Sequence, residues 1–215
     1  MTGPPIPTSI FRLLHVENLP LVLDRGGLHA PNHTPRDGQT YRTIHNVDIQ
    51  QSRRIRRIPC GPRGVAHDYV PFYLGPRSPM LLQLHTGRVA GYAEGQSPLI
   101  YVVSTAQAVA SAGIGFAFSD GHGIAAYTDW YDDLRDLDKV DWDTVYADWW
   151  RDTEEDMDRQ RRKQAEFLVH QFCPWQCIQR IGVLDVERRG EVEAILADYP
   201  ADALRPVENH PDWYY

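Results

Sequence analysis

Long apolar runs are missing from this chain. No stretch approaches the roughly 20 residues that a membrane-spanning helix needs, and the opening segment from Met1 to Thr8 carries Pro4, Pro5 and Pro7 in place of an apolar signal. Cysteine is scarce as well. Cys60, Cys173 and Cys177 are odd in number, and Pro-Trp-Gln separates the last pair instead of the two residues of a redox or zinc motif. Buried free thiols in a soluble, reducing, cytoplasmic setting with no membrane attachment are expected. The chain also lacks a Gly-rich phosphate loop and a Gly-x-Ser-x-Gly elbow, and its one His-x-x-x-His spacing, His29 and His33, spans Pro31 and does not suit a helical zinc pair, so metal-dependent and serine-based chemistry lose weight and no metal is expected. Cations are outnumbered: 22 Lys and Arg against 29 Asp and Glu give a formal charge of −7, unsuited to coating nucleic acid non-specifically.

What is present suffices for one good-sized core, since 42% of the 215 residues are hydrophobic; a single domain over 1–215 is expected. The charge is segregated, with acids crowded between Asp129 and Asp158 and the sign flipping at Arg159. Local basic patches therefore matter more than the total. There is no internal repeat and no low-complexity tract.

Along the chain, Ile10 to His15 reads as a strand, and Asn18 as the N-cap of a helix with Pro20 in its first turn and Gly26-Gly27 at its end. From Ala30 to Gly64 the chain shows little periodicity, which in a segment this long marks disorder or function. Within it, Ser52-Arg53-Arg54-Ile55-Arg56-Arg57-Ile58 suits either a solvated basic loop or a half-buried segment offering guanidinium groups to phosphates or carboxylates. His67 to Leu74 reads as an aromatic strand, with Tyr69 and Tyr73 open to core packing or to stacking on a flat ligand. Met80 to Leu84 and Leu99 to Val103 read as strands, and Thr105 as the cap of a helix to about Ala112. Phe116 to Phe118 is another strand, ending in Ser119-Asp120-Gly121-His122-Gly123, whose glycines let His122 approach a ligand. Asp129 to Asp158 reads as acidic covering helices, Ile178 to Val186 as a strand and Glu191 to Ala197 as a helix. Many short strands without βαβ rhythm indicate an α+β domain.

In Arg161-Arg162-Lys163-Gln164-Ala165-Glu166-Phe167-Leu168-Val169 three cations run into one carboxylate at the mouth of an apolar strand. A carboxylate there costs solvation unless something uses it. Spacing alone admits two readings of Glu166: an ion-pair partner of Lys163 or Arg162, or a functional group.

These segments together resemble the DarT family of DNA ADP-ribosyltransferase toxins, which belong with the poly(ADP-ribose)-polymerase-like ADP-ribosyltransferases. The resemblance runs from Ile10-Phe11-Arg12-Leu13-Leu14-His15 with Asn18-Leu19, through the arginine segment, His67 to Tyr73, Arg77-Ser78-Pro79-Met80, Phe118 to Gly123 and Lys163 to Val169, to Trp213-Tyr214-Tyr215. It implies an ADP-ribosyltransferase-like split mixed β-sheet with peripheral helices, a cleft for NAD+ as co-substrate, and transfer of ADP-ribose to thymidine in single-stranded DNA. It further implies that Glu166 is catalytic with Arg53 as its partner, Arg54 being the one-residue alternative. Arg12, Leu14, Asn18, Arg53 and Tyr73 would hold NAD+, and Tyr73, His122, Arg161, Arg162 and Lys163 would lie near DNA. Relatives carry His-x-Thr in the first strand where Arg12 and Leu14 stand here. The partners implied are single-stranded DNA and a DarG-like macrodomain antitoxin. Guanosine, RNA or protein as acceptor, a catalytically inactive nucleic-acid-binding module, and a tRNA phosphotransferase of the same superfamily are the competing readings.

Overall fold

The computed structural model describes residues 3–215. Its strands and helices, in chain order, are β1 (Ser9–His15), α1 (Leu19–Asp24), β2 (Gly27–His29), α2 (Val47–Ile55), β3 (Tyr69–Tyr73), α3 (Pro79–His85), β4 (Leu99–Thr105), α4 (Ala106–Ser111), β5 (Phe116–Ser119), β6 (Trp130–Tyr131), α5 (Trp142–Val145), α6 (Arg159–Arg162), β7 (Glu166–His170), β8 (Phe172–Pro174), β9 (Arg180–Val183), α7 (Val186–Ala197) and β10 (Val207–Asn209). Eight strands form one sheet in the order β10-β9-β4-β1-β3-β7-β5-β6, while β2 and β8 pair separately. The sheet is mixed, because β10 runs parallel to β9 whereas the other pairs are antiparallel. This is the α+β split sheet with peripheral helices.

The wholly apolar run Leu99 to Val103 becomes the central strand β4, buried along its length. Its alternation sorts two layers. Ile100 and Val102 meet Leu19 and Val22 of α1, Val109 of α4, and Val192 and Leu196 of α7; Leu99, Tyr101 and Val103 meet Leu81 and Leu84 of α3, Trp213 and Tyr214. Each fully buried aliphatic side chain contributes about 1.5–3 kcal/mol relative to exposure, so these layers carry most of the fold.

The sheet opens between β1 and β3. Their antiparallel register is recorded at a single pair, Phe11↔Tyr73, against seven consecutive pairs from Ser9↔Thr105 to His15↔Leu99 between β1 and β4. Pro71 explains where the opening falls. In β3 the amide of Leu74 and the carbonyl of Asp68 bond toward β7, so by alternation the backbone groups of Tyr69, Pro71 and Tyr73 face β1. Proline has no N–H to donate there. The Pro71 carbonyl instead takes a hydrogen bond from Arg12 Nη1 at 3.1 Å.

Several expectations are corrected. Met80 to Leu84 is not a strand: Ser78 accepts from the Leu81 N–H and Pro79 sits at the first helical position, so the segment winds into α3 and buries Leu81 and Leu84 at helical spacing. Ser52 to Ile58 is not a loop but mostly the last turn of α2, capped by Asn46, and its polarity is inverted: Arg53 is 7% exposed while Ile55 is 77% exposed. The strand expected over Ile178 to Val186 ends at Val183, because Asp185 caps α7 through the Arg188 N–H and starts that helix ahead of Glu191. Between Asp129 and Asp158 the covering structure is a two-residue strand, a 3-10 stretch over Leu134–Lys139 and the short α5. Thr105 does cap α4, accepting from the Ala108 N–H. The three cysteines are free thiols, Cys173 and Cys177 buried and Cys60 partly so. Among the described residues no helix is long and apolar enough to cross a membrane.

Candidate active site

Glu166 opens β7 opposite Tyr73 of β3, the residue that makes the one registered pair with β1 before those strands diverge. It is 3% exposed, and its carboxylate is held at both oxygens. Arg53 Nη1, from the last turn of α2, donates to Oε2 at 2.7 Å, and the Gly123 N–H donates to Oε1 at 3.0 Å. Its backbone N–H donates to the Ser119 hydroxyl at 3.2 Å, and that hydroxyl donates to the Gly121 carbonyl at 2.7 Å, tying the turn after β5 to the start of β7. Gly123 is required by space: a Cβ there would lie 2.9 Å from Glu166 Oε1 and 3.1 Å from the Trp130 ring. A carboxylate has about four lone-pair positions, so the two donors leave the remaining positions for a ligand. The partner of Glu166 is therefore Arg53 and not Arg54, Arg162 or Lys163.

Above this pair lies a cleft of about 690 Å³, within the roughly 300–1,000 Å³ usual for small-molecule sites. Arg12, Leu14, Asn18, Arg53, Tyr73, His122 and Glu166 all line it. Arg53 Nη2 and Arg12 Nε are buried donors without a hydrogen-bond partner among the described residues. Such groups cost stability unless an acceptor reaches them. Burial, and the Arg53 charge, lower the Arg12 pKa from its ordinary value. Burial next to Glu166 pushes the Tyr73 phenol up to about 12, so it stays protonated. His122 is shifted down by burial, with Arg53 adding to the effect against the opposing pull of Glu166, so its imidazole is neutral at pH 7.

Asn18 does something other than cap α1, where no side-chain cap bond forms. Buried under the loop before α2, its Oδ1 accepts from the Arg42 N–H at 2.7 Å and its Nδ2 donates to the Arg42 carbonyl at 2.9 Å. Arg42 is held further by Glu17 and Glu94. This clasp sets Tyr41, Thr43, Ile44 and His45 along the cleft wall.

The basic run before Glu166 is largely committed elsewhere. Arg161 donates to Asp120 at 2.8 and 3.0 Å and to Asp158 at 2.7 Å through both Nε and Nη2. Arg162 is paired with Asp141, Asp156 and Asp158. Lys163 is 3% exposed, its ammonium donating to the Val145 carbonyl at 2.7 Å and the Ala147 carbonyl at 3.0 Å. Burial lowers its pKa to about 8. None of the three lines the main cleft, so these side chains lock the acidic segment onto the sheet instead of presenting a free basic track.

Sequence reasoning missed Tyr41, His45, Asn46, Gln50, His67, Gln83, Gln160 and Gln164, all of which line the cleft. The aperiodic stretch from Ala30 to Gly64 was the available signal for the first four. His67 is placed by Gln50 Oε1, 3.2 Å from its Nε2; no local pattern marks His67 as a cleft residue.

Residues 11–215 match a family model described as ssDNA thymidine ADP-ribosyltransferase, DarT. A DNA ADP-ribosyl transferase of Thermus aquaticus is 41% identical over 211 residues, covering 98% of this chain and 90% of that protein. Among solved structures, Thermus sp. 2.9 DarT in complex with ADP-ribosylated ssDNA superposes with a TM-score of 0.93 at 38% identity, covering 100% of this chain and 99% of the other. The same protein in complex with NAD+ superposes with a TM-score of 0.89, covering 99% of this chain and 100% of the other.

Proposed function

The chain belongs to the DarT family of DNA ADP-ribosyltransferases, and from that membership we propose that it transfers ADP-ribose from NAD+ to thymidine in single-stranded DNA, sequence-selectively, as the toxin of a toxin–antitoxin pair. The observation that carries this reading is the buried Glu166 carboxylate, gripped by Arg53 and the Gly123 N–H at the floor of a cleft lined by unsatisfied guanidinium donors. The fit to a dinucleotide is chemical. Arg53 Nη2 and Arg12 Nε need anionic acceptors, which a diphosphate supplies, and guanidinium groups grip such oxygens bidentately. Leu14, Phe72 and Met80 give the apolar walls that flat rings require.

NAD+ supplies an activated ribose whose bond to nicotinamide breaks as positive charge builds at the sugar. Glu166 stabilises that charge, being a fixed anion only 3% exposed at the floor of the cleft. Arg53 aims the carboxylate, and the Gly123 N–H fixes its other oxygen. The thymine ring nitrogen must lose a proton as it attacks, and Glu166 is the base within reach of the reacting sugar. His122, neutral at pH 7, accepts or donates one hydrogen bond at the mouth of the cleft without repelling the ribose charge. Tyr73 stays protonated and offers a donor and a ring face. Asn18 acts through the loop it clasps.

The acceptor is single-stranded because a base must leave its stack to reach the floor of the cleft. A net charge of −7 and paired arginines before Glu166 favour a short recognition site over extended coating. A DarG-like macrodomain antitoxin is the partner that the family resemblance implies. Mass spectrometry of short oligonucleotides incubated with protein and NAD+ tests the reading. Addition of one ADP-ribose to a sequence-defined subset of the thymidine-containing strands is expected; addition to guanosine-only strands, or no addition to any strand, overturns the thymidine assignment.

A further inference from the structure

A second, smaller cleft of about 290 Å³ adjoins the first and shares His122, Gln160 and Gln164 with it. Tyr127 stands at its rim, 68% exposed, and the other lining residues include Met157, Asp152 and Arg161. The Arg161 guanidinium lies over one face of the Tyr127 ring, 5.1 Å from the centroid. That guanidinium is itself immobilised by Asp120 and Asp158. Gly121 makes room for it, since a Cβ there would come within 2.4 Å of Arg161 Nη1. The loop bearing Tyr127 is closed by the Thr128 hydroxyl and the Ala125 N–H, both donating to the His122 carbonyl at 2.8 and 3.0 Å. Arg56 Nη2 anchors it from outside by donating to the Ala125 carbonyl at 2.9 Å.

A surface tyrosine normally loses rotamer freedom when a ligand stacks on it. Here that ordering is already done: one face is backed by a fixed cation, and the other is left to solvent beside the acceptor cleft. We propose that Tyr127 is a stacking platform for a nucleobase flanking the modified one, with Gln160 and Gln164 reading the base edges between the two subsites. The proposal rests on the acceptor reading above. The occupant is a base and not a phosphate, because the arginine of this cleft has its donors taken by Asp120 and Asp158, and Asp152 in its wall repels an anion. It is a base of the same strand, because the two clefts are continuous through three shared residues. Met157, 79% exposed at the same cleft, adds apolar contact.

The test compares wild type, Tyr127→Ala and Tyr127→Trp on an eight-nucleotide strand with one thymidine, and on strands with an abasic site at each neighbouring position. Stacking of one base corresponds to about 5- to 150-fold in affinity. Tyr127→Ala is expected to raise the KM for the strand by that range with little change in kcat, and Tyr127→Trp to preserve it. One abasic position should weaken wild type by the same factor and leave Tyr127→Ala unaffected. Equal KM values for wild type and Tyr127→Ala, or no abasic position that matters to wild type, overturn the platform while leaving the acceptor reading intact. Fluorescence anisotropy of the same strands separates the two ideas in the other direction. If no thymidine is modified and Tyr127→Ala still weakens binding, the acceptor reading fails and the platform stands; if no strand binds, both fail.

Discussion

Replacing Glu166 by Gln keeps the shape of the side chain and removes its charge, which makes the substitution a sharp test of the site. The carboxylate receives Arg53 Nη1 on one oxygen and the Gly123 N–H on the other. A carboxamide has a single oxygen, so its NH2 must face one of those donors. Arg53 is then left 7% exposed without an anion. Removing one member of a buried pair costs about 3–5 kcal/mol, and the lower end applies because the cleft admits water to Arg53. For a chain of 215 residues, where each kcal/mol moves the melting point by about 2–4 °C, the expected fall is about 6–12 °C. Transfer should drop by at least about 10³-fold, as the charge-stabilising group is lost. Adding Arg53→Met to Glu166→Gln removes the uncompensated cation and should recover about half of the lost melting temperature with no recovery of transfer. Calorimetry and the oligonucleotide assay read both. A Glu166→Gln protein that melts within about 2 °C of wild type, or a double variant less stable than the single one, refutes the argument that the pair is mutually dependent.

Two further outcomes follow from other parts of the structure. Lys163 has a folded-state pKa of about 8 against an ordinary 10.5, so between those values the unfolded chain binds more protons and stability rises with pH, by up to about 3 kcal/mol across the window, and is flat with respect to this group below it. Subtracting the denaturant-unfolding profile of Lys163→Met from that of wild type should isolate this rise; a difference independent of pH between 8 and 10 contradicts it. Asn18→Ala removes two hydrogen bonds to the Arg42 backbone, worth about 1 kcal/mol each, and should raise the KM for NAD+ by about 10- to 30-fold while speeding amide exchange over residues 41–46. An unchanged exchange pattern there shows that Arg42 is held by its ion pairs alone.

How much was legible in the sequence depended on whether a residue's environment was local. Strands β4, β5 and β7 were readable because burial on both faces writes a run of apolar residues, and β1 because Arg12 alone interrupts its apolar residues from Ile10 to Leu14. Thr105 was readable because a cap needs only residues three positions away. Glu166 was singled out as a carboxylate at the mouth of such a run, but its partner lies 113 residues earlier, and nothing local distinguishes Arg53 from Arg54. The family resemblance supplied that pairing. Helix α3 is ambiguous in sequence because Met80-Leu81-Leu82-Gln83-Leu84 fits a strand as well as a helix, and what decides it is the start signal Ser78-Pro79. Helix α2 was hidden because its one buried residue is an arginine while Val47 and Ile55 are exposed, against the usual amphipathic pattern. Lys163 looked like a ligand-facing cation, and only the carbonyls of Val145 and Ala147, brought over by α5, show it to be a buried strut.

The missing N–H of Pro71 has a consequence for how tightly the middle of the sheet is held. β1 and β3 occupy central places in the strand order, where amides normally exchange with solvent only on global unfolding. With one registered pair between them and a proline where a ladder donor would stand, the groups that face the gap behave as those of a sheet edge, exchanging quickly in the free protein. A ligand that bonded to those groups would slow their exchange and raise the unfolding free energy of the sheet. The thinnest seam of the sheet thus borders the cleft that Arg12, Pro71 and Tyr73 line, so the fold is least tied together where it is most open.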